Sequence, residues 1–262
     1  MIRRDDDGHW LLIPQPEHVR IAAELADGWG NAEVAPLPEP ELLVSAIRHH
    51  DDGWREWEAA PKIDPETGRP RNFTEMPATD ATAIWSRSIE SSYRGEGASS
   101  PLGGIWVSRH FTWLAEQGRD SRRGDAFELA VIEAFLEDQS EKQARWRKET
   151  AERFPPDDLD PLIETDFRWV QFFDRLSLWL CCAERTEPEE FSIPGGGTLR
   201  FVPQEQRTFR IEPWPLRGES LSLSVPAVRI PARRYRTDAE LQSQMKAASE
   251  TWLVWQVLTS RY

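Results

Sequence analysis

The sequence has no long apolar run, little cysteine and a deficit of positive charge. None of its apolar runs approaches the roughly 20 residues that a membrane-spanning helix needs. The first residues, Met1 to Arg4 followed by three aspartates, lack the apolar segment of a secretory signal. These absences predict a cytoplasmic protein without a membrane partner.

Cysteine and charge narrow the classes of function further. The only two cysteines, Cys181 and Cys182, are adjacent in an apolar helical run, so we expect small buried thiols and no redox role. The formal net charge of -13 argues against a nucleic acid polymer as partner, because binding one relies on neutralising its phosphates. A small anionic substrate held by a metal ion is compatible with this charge.

The most informative stretch is His-His-Asp-Asp-Gly-Trp at residues 49–54, at the end of a helical pattern that begins near Pro38. An apolar stripe at helical spacing runs up to it through Leu43, Ala46, Ile47 and His50. This stripe turns His50 inward. Asp51 would leave a continuing helix about 100° away and reach the same point. An imidazole and a carboxylate on adjacent residues, at a buried helix end, suit a divalent metal ion.

Other predicted helices also carry a polar residue on an apolar stripe. These polar residues are His18 in the predicted helix 16–28, His110 in the predicted helix 105–117 and Asp174 in the helical run 159–183. A carboxylate on such a stripe is costly unless it is paired, hydrogen-bonded or bound to metal. The sequence therefore predicts that Asp174 has one of these partners.

The overall pattern predicts a mainly α fold with a small antiparallel β appendage at the C terminus. Helical stripes dominate residues 1–183, after a short N-terminal strand at residues 9–13. Residues 184–262 are interpreted as a β-rich extension packed on the helical domain. In this region short runs of alternating apolar and polar residues are separated by Gly and Pro. The predicted strands of the extension are 209–211, 221–225, 228–230 and 252–258, and 237–249 is read as a helix capped by Thr237.

His18, His50-Asp51 and Asp174, in that order and on separate helices, resemble the H…HD…D signature of the HD-domain metal-dependent phosphohydrolase superfamily. The local context is similar too: His50-Asp51-Asp52-Gly53 resembles the family's His-Asp-x-Gly turn, and the segment 173–176 resembles its last helix. The similarity spans about residues 10–183. It extends to an uncharacterised bacterial branch of that superfamily, catalogued only as a domain of unknown function.

The resemblance implies an HD-like helical bundle with a divalent ion (Mn, Mg, Fe, Ni or Zn) held by His18, His50, Asp51 and Asp174. The implied activity is metal-dependent hydrolysis of a small phosphoester or nucleotide, with Asp51 placed to position or deprotonate the water. Two further catalytic candidates are His110, the histidine between the His-Asp pair and the last aspartate, and Arg109, whose guanidinium could neutralise substrate oxygens.

Two alternatives stay open at this point. A di-iron oxygenase of the HD type would need more ligands than the sequence offers. A metal-free or degenerate HD-like binding or scaffold protein would keep the same residues as buried, hydrogen-bonded polar groups. The metal content of the purified protein distinguishes these alternatives, because two irons favour the oxygenase and no bound metal favours the scaffold protein.

Overall fold

The computed structural model describes residues 1–94, 101–119, 122, 124–151 and 153–259. Its helices are α1 (Gln15–Gly28), α2 (Pro40–His49), α3 (Trp54–Glu58), α4 (Ala78–Arg94), α5 (Pro101–Gly118), α6 (Ala126–Thr150), α7 (Pro156–Thr165), α8 (Phe167–Cys182) and α9 (Asp238–Ala247). Its strands are β1 (Ile2–Asp6), β2 (His9–Ile13), β3 (Glu189–Ser192), β4 (Thr198–Pro203), β5 (Thr208–Glu212), β6 (Ser220–Pro231) and β7 (Glu250–Thr259). No helix in these ranges has the length and apolarity that crossing a membrane requires.

The strands form one mixed sheet in the order β1-β2-β6-β7-β5-β4-β3. Strands β5 and β7 are parallel, and the other neighbours are antiparallel. Strand β7 therefore joins the group β1-β2-β6 to the group β5-β4-β3.

The predicted fold class, a mainly α HD-like bundle with a small antiparallel β appendage, is wrong. A seven-stranded mixed sheet that takes in strands from both ends of the described chain is a principal part of the fold. The prediction omitted β1, β3 and β4. Strands β1 and β2 form a hairpin through Asp7 and Gly8, whose φ angles of 42° and 72° are those of a type I′ turn. The Asp-Gly dipeptide was the signal that could have revealed β1.

Other strand predictions are confirmed. The final strand exists, and the N-terminal strand β2 pairs with the β-rich tail through β6. Strand β6 is continuous, although the sequence interpretation divides it near Pro226. In the sheet ladders β2 pairs only with residues 228–231 of β6, so at Pro226 the strand has β7 alone as its neighbour. A residue without an N–H is tolerated at such an edge.

The chain divides into two compact units, of which the first comprises Met1–Leu37, Trp54–Glu75 and Asp174–Tyr262. This unit contains the sheet. The ring of Trp179 on α8 meets three phenylalanine rings edge-on, with centroids 5.3 to 5.6 Å away, on β3, β4 and β5: Phe191, Phe201 and Phe209. These contacts pack the C-terminal part of α8, through Trp179, against that part of the sheet.

The second unit, Pro38–Gly53 and Met76–Phe173, is helical. Its core is aromatic: Tyr93 stacks on Trp146 with centroids 4.9 Å apart, and Trp85 stacks on Phe111 at 5.5 Å. The long helix α6 begins where the carboxylate of Asp125 accepts hydrogen bonds from two backbone N–H groups of the first turn. The predicted domain boundary between residues 183 and 184 stays a prediction.

Candidate metal centre

His18 lies on the buried face of α1. Pro16 in the first turn suits the start of this helix, because its fixed φ is helical and an N–H is not needed there. Arg20 ties the helix to β6 by donating to the carbonyl oxygen of Ser224. The His18 side chain has no exposed surface, and its Nε2 lies 3.2 Å from Oδ1 of Asp174.

Asp174 is the carboxylate on the apolar stripe of α8. Its side chain is 14% exposed, and the hydroxyl of Ser177 donates to its backbone carbonyl at 2.9 Å. The contact with His18 gives the carboxylate the partner that its stripe position requires. This contact is one of the three kinds of partner that the sequence pattern requires for Asp174.

His50 is held in one tautomer. It caps the C-terminal end of α2, and its Nδ1 lies 2.7 Å from the carbonyl oxygen of Ile47. A carbonyl oxygen only accepts, so Nδ1 carries a proton, and in the neutral ring Nε2 then has the lone pair. Metal-binding histidines typically donate their other ring N–H in this way, which fixes the ring and makes the ligand nitrogen more basic. The ring of His50 is fully buried.

The structure brings three of the four predicted ligands together. One ligand atom on each of His18, His50 and Asp174 lies within 4.8 Å of the other two. Two imidazoles and one carboxylate form a mixed donor set that suits Zn, Fe, Mn or Ni better than Mg, which prefers oxygen ligands throughout. The residues present therefore fit a single transition-metal ion.

The fourth predicted ligand, Asp51, is not part of this group of converging atoms among the described residues. Its side chain is buried all the same, with 6% exposed. Helix α2 ends at His49, so Asp51 lies in the following turn and the 100° spacing of a helix does not apply to it.

The two other catalytic candidates have different surroundings. The ring of His110 on α5 is buried and meets the ring of His50 edge-on, with centroids 5.6 Å apart. Arg109 donates to the carboxylate of Glu164 at 2.9 Å and lies over the ring of Phe167. These contacts place His110 beside a proposed ligand, and they give Arg109 a structural ion pair.

His49 belongs to a separate polar group. Its Nδ1 lies 2.7 Å from Oδ2 of Asp52, and the hydroxyl of Ser91 donates to the same oxygen at 2.7 Å. The His49 side chain is 23% exposed. These contacts and this exposure place His49 on the flank of α2, outside the group of His18, His50 and Asp174.

The cysteines do not supply a thiolate. Burial raises the pKa of the Cys182 thiol to about 11, with the nearby charge of Arg185 acting against this shift. Burial raises the pKa of Cys181 further still. Both side chains are therefore protonated at neutral pH, and a thiol must lose its proton before it binds metal.

Sequence reasoning missed the carbonyl group of Ile47 as a functional group. A signal was available, because the last carbonyls of a helix have no partner within the helix. A histidine three residues beyond such a carbonyl can satisfy it through Nδ1. Every residue has a backbone carbonyl group, however, so residue type does not mark the one at Ile47. The contact between His50 and Ile47 can be predicted only once the end of α2 is known.

Comparison with known protein families places the chain in a family. A family model described as a protein of unknown function (DUF3891) matches residues 1–232. No curated protein and no solved structure matches the chain.

Proposed function

Since the chain belongs to the DUF3891 family of proteins of unknown function, we propose an activity from the candidate metal centre: metal-dependent hydrolysis of a small phosphoester or nucleotide. The observation that carries this proposal is the convergence of His18, His50 and Asp174. The order of these residues along the chain, with Asp51 after His50, also supports membership of the HD-domain superfamily as part of the proposal.

Each residue has a proposed role. His18, His50 and Asp174 would hold the ion through one ring nitrogen of each histidine and one carboxylate oxygen. When bound there, a divalent ion would polarise a phosphoryl oxygen and lower the pKa of a coordinated water. Asp51, buried beside His50, orients the attacking water and accepts its proton.

His110 and Arg109 complete the proposed set. His110 lies beside His50 and supplies a third imidazole, outside the proposed ligand set, which can donate a proton to the departing oxygen. A role for Arg109 in neutralising substrate oxygens requires that its ion pair with Glu164 opens. The substrate in this proposal is a small anion, because a site that buries two imidazoles has little room for a polymer.

A second candidate has one specific observation in its favour. Two histidines and one carboxylate also form the ligand set of mononuclear non-haem Fe(II) oxygenases. The group of three converging residues supports one iron in this reading; a di-iron centre would need ligands beyond this group. A metal-free scaffold protein is the remaining reading, and the same experiment tests it.

The test combines metal analysis with a panel of phosphoesters and nucleotides, assayed with Mn, Fe, Ni, Zn or Mg supplied. We expect bound metal in the wild-type protein and hydrolysis of at least one substrate. Asp174→Ala should lower both metal occupancy and activity. Asp51→Ala should lower activity by at least about 100-fold, the usual contribution of general base catalysis. His49→Ala is the matched control and should change both quantities little, because His49 pairs with Asp52.

Three results would contradict the proposal. Activity equal to wild type in Asp51→Ala would remove the proposed base, and a loss confined to His49→Ala would move the site elsewhere. Failure to bind any of the five metals would favour the scaffold reading. Stoichiometric iron together with oxygen consumption, and no phosphoester hydrolysis, would favour the oxygenase.

A further inference from the structure

A polar cleft of about 530 Å³ lies in the first unit, beside β1 and β2. Four of the eight residues that line it are arginines: Arg3, Arg69, Arg233 and Arg234. The lining contains one carboxylate, that of Asp5. None of these residues belongs to the candidate metal centre. In a chain with a net charge of -13, such a concentration of guanidinium groups requires an explanation.

Backbone hydrogen bonds fix the walls of this cleft. Arg69 follows a turn in which the N–H of Gly68 donates to the carbonyl of Asp64 at 2.7 Å. The N–H of Tyr235 then donates to the carbonyl of Gly68 at 2.8 Å, which fastens the turn to the segment that carries Arg234. Gly68 has a φ of 67°, and a Cβ there would lie 2.7 Å from the carbonyl oxygen of Tyr235. Glycine is therefore needed for the two segments to approach this closely.

The four guanidinium groups differ in how their charge is balanced. Two have carboxylate partners in the structure: Arg3 is bonded to Glu75 at 2.8 Å, and Arg233 to Glu240 at 2.5 Å. The side chains of Arg69 and Arg234 are exposed and form no ion pair or hydrogen bond with any residue in the described part of the chain. The cleft thus contains two guanidinium groups without a carboxylate partner among the described residues, those of Arg69 and Arg234. They lie on two segments that are joined by the hydrogen bond between Tyr235 and Gly68.

We propose that this cleft binds a small ligand through a diphosphate group, with Arg69 and Arg234 each contacting one phosphate. A guanidinium presents a planar fork of donors that matches phosphate oxygens. Two such groups on separate segments match two linked phosphates better than a single one. The cleft volume is also typical of small-molecule sites, which range over roughly 300 to 1,000 Å³.

The surroundings make the diphosphate, and not an aromatic base, the recognised part. The ring of Trp10 is only 6% exposed, since Arg3 lies over it at 5.8 Å and Tyr235 lies 6.3 Å away. This ring therefore has little face left for stacking. A nucleic acid polymer is disfavoured because the chain has a net charge of -13, which repels a polyanion at long range.

The test is calorimetric titration of inorganic pyrophosphate into the full chain at low salt, after dialysis against a chelator. Removing metal keeps the result independent of the proposed hydrolase activity. We expect Arg69→Gln and Arg234→Gln each to weaken pyrophosphate binding at least about tenfold. Arg200→Gln is the matched control: Arg200 is an exposed arginine on β4, outside the cleft, and its substitution should change the affinity less than about twofold.

Inorganic phosphate and adenosine diphosphate are the comparison ligands. The proposal expects phosphate to bind more weakly than pyrophosphate. Adenosine diphosphate binding as tightly as pyrophosphate would support recognition of the diphosphate alone, and tighter binding would contradict it by showing that the nucleoside is also recognised. Circular dichroism of each variant verifies that it is folded. Absence of heat with millimolar pyrophosphate would overturn the proposal, as would an equal loss of affinity in all three variants.

Discussion

Asp166 is a carboxylic acid with a pKa above its ordinary value. It follows α7, and burial raises its pKa to about 6; the hydroxyl of Thr165 lowers the pKa by a hydrogen bond, and the charge of Glu39 raises it. The folded protein therefore binds a proton here at pH values where the unfolded chain does not. By linkage, this residue lowers the free energy of unfolding as the pH rises from the ordinary carboxyl pKa to about 6, and the penalty is complete above pH 6.

We expect Asp166→Asn to stabilise the protein at pH 8 by roughly 1 to 3 kcal/mol and to have little effect at pH 4, since one unit of pKa shift corresponds to about 1.4 kcal/mol. Urea unfolding at both pH values measures this. Asp157→Asn makes the same chemical change at an exposed position of α7 and serves as the control. An Asp166→Asn effect of equal size at both pH values would show that the stabilisation does not come from the carboxyl proton.

Part of the site could be predicted from single residues, because helical periodicity shows which side chains point inward. His18, His50 and Asp174 each lie on an apolar stripe, and their ligand atoms converge. Asp51 could not be placed in the same way. It follows the last residue of α2, and a periodicity argument has no force once the backbone leaves the helix.

At the scale of elements, Gly53 has a role that differs from the one its position suggests. A glycine after a helix usually ends it with a positive φ, but Gly53 is not among the positive-φ residues. Instead its N–H donates to the hydroxyl of Ser88 at 3.0 Å, and a Cβ would collide with the backbone carbonyl of Ile84 on α4. Gly53 permits α4 to approach the end of α2 closely.

Gly53→Ala should therefore destabilise the protein by about 1 to 3 kcal/mol or more, because the obstacle is backbone and cannot rotate away. Gly124→Ala is the matched control, since a Cβ at Gly124 meets no atom within 4 Å and its φ is not positive. Its effect should stay within about 0.5 kcal/mol. Urea unfolding of both variants measures the difference, and we expect the lower midpoint for Gly53→Ala. Equal midpoints for Gly53→Ala and Gly124→Ala would refute a steric role for Gly53.

The strands show why elements of different length were predicted unequally well. The ten-residue strand β7 has a strong apolar alternation and was recognised, whereas β3 spans four residues, of which only Phe191 is buried. So short a run carries almost no periodicity. Its position is set by pairing with β4, which is a tertiary effect that propensity does not contain.

For the whole molecule, bound metal should raise thermal stability. A ligand that binds only the folded state stabilises it by about 2.7 kcal/mol at a concentration 100 times its Kd. We expect chelation to lower the Tm, and resupply of the metal to restore it. Differential scanning calorimetry measures the shift, and His18→Asn provides a variant whose Tm should respond less to chelation. A wild-type Tm that stays constant after verified metal removal would exclude a stabilising ion.

The architecture of the whole molecule was the least predictable level. Helical stripes are local and appear in any window of the sequence, whereas the order of strands in the sheet depends on pairings such as β2 with β6, more than 200 residues apart. Nothing in the composition of either strand specifies the other. A sheet assembled from both ends of the chain was therefore mistaken for an appendage.

A ribosome makes β7 last among the seven strands, although β7 lies in the middle of their order. Until residues 250–259 emerge, β6 and β5 have no common neighbour, and each group of strands ends in an unpaired edge. At roughly 5 to 20 residues per second, this interval lasts on the order of seconds. Open edges of that kind pair readily with other chains. The chain therefore exposes two pairing-competent strand edges, on β6 and β5, until β7 has been made.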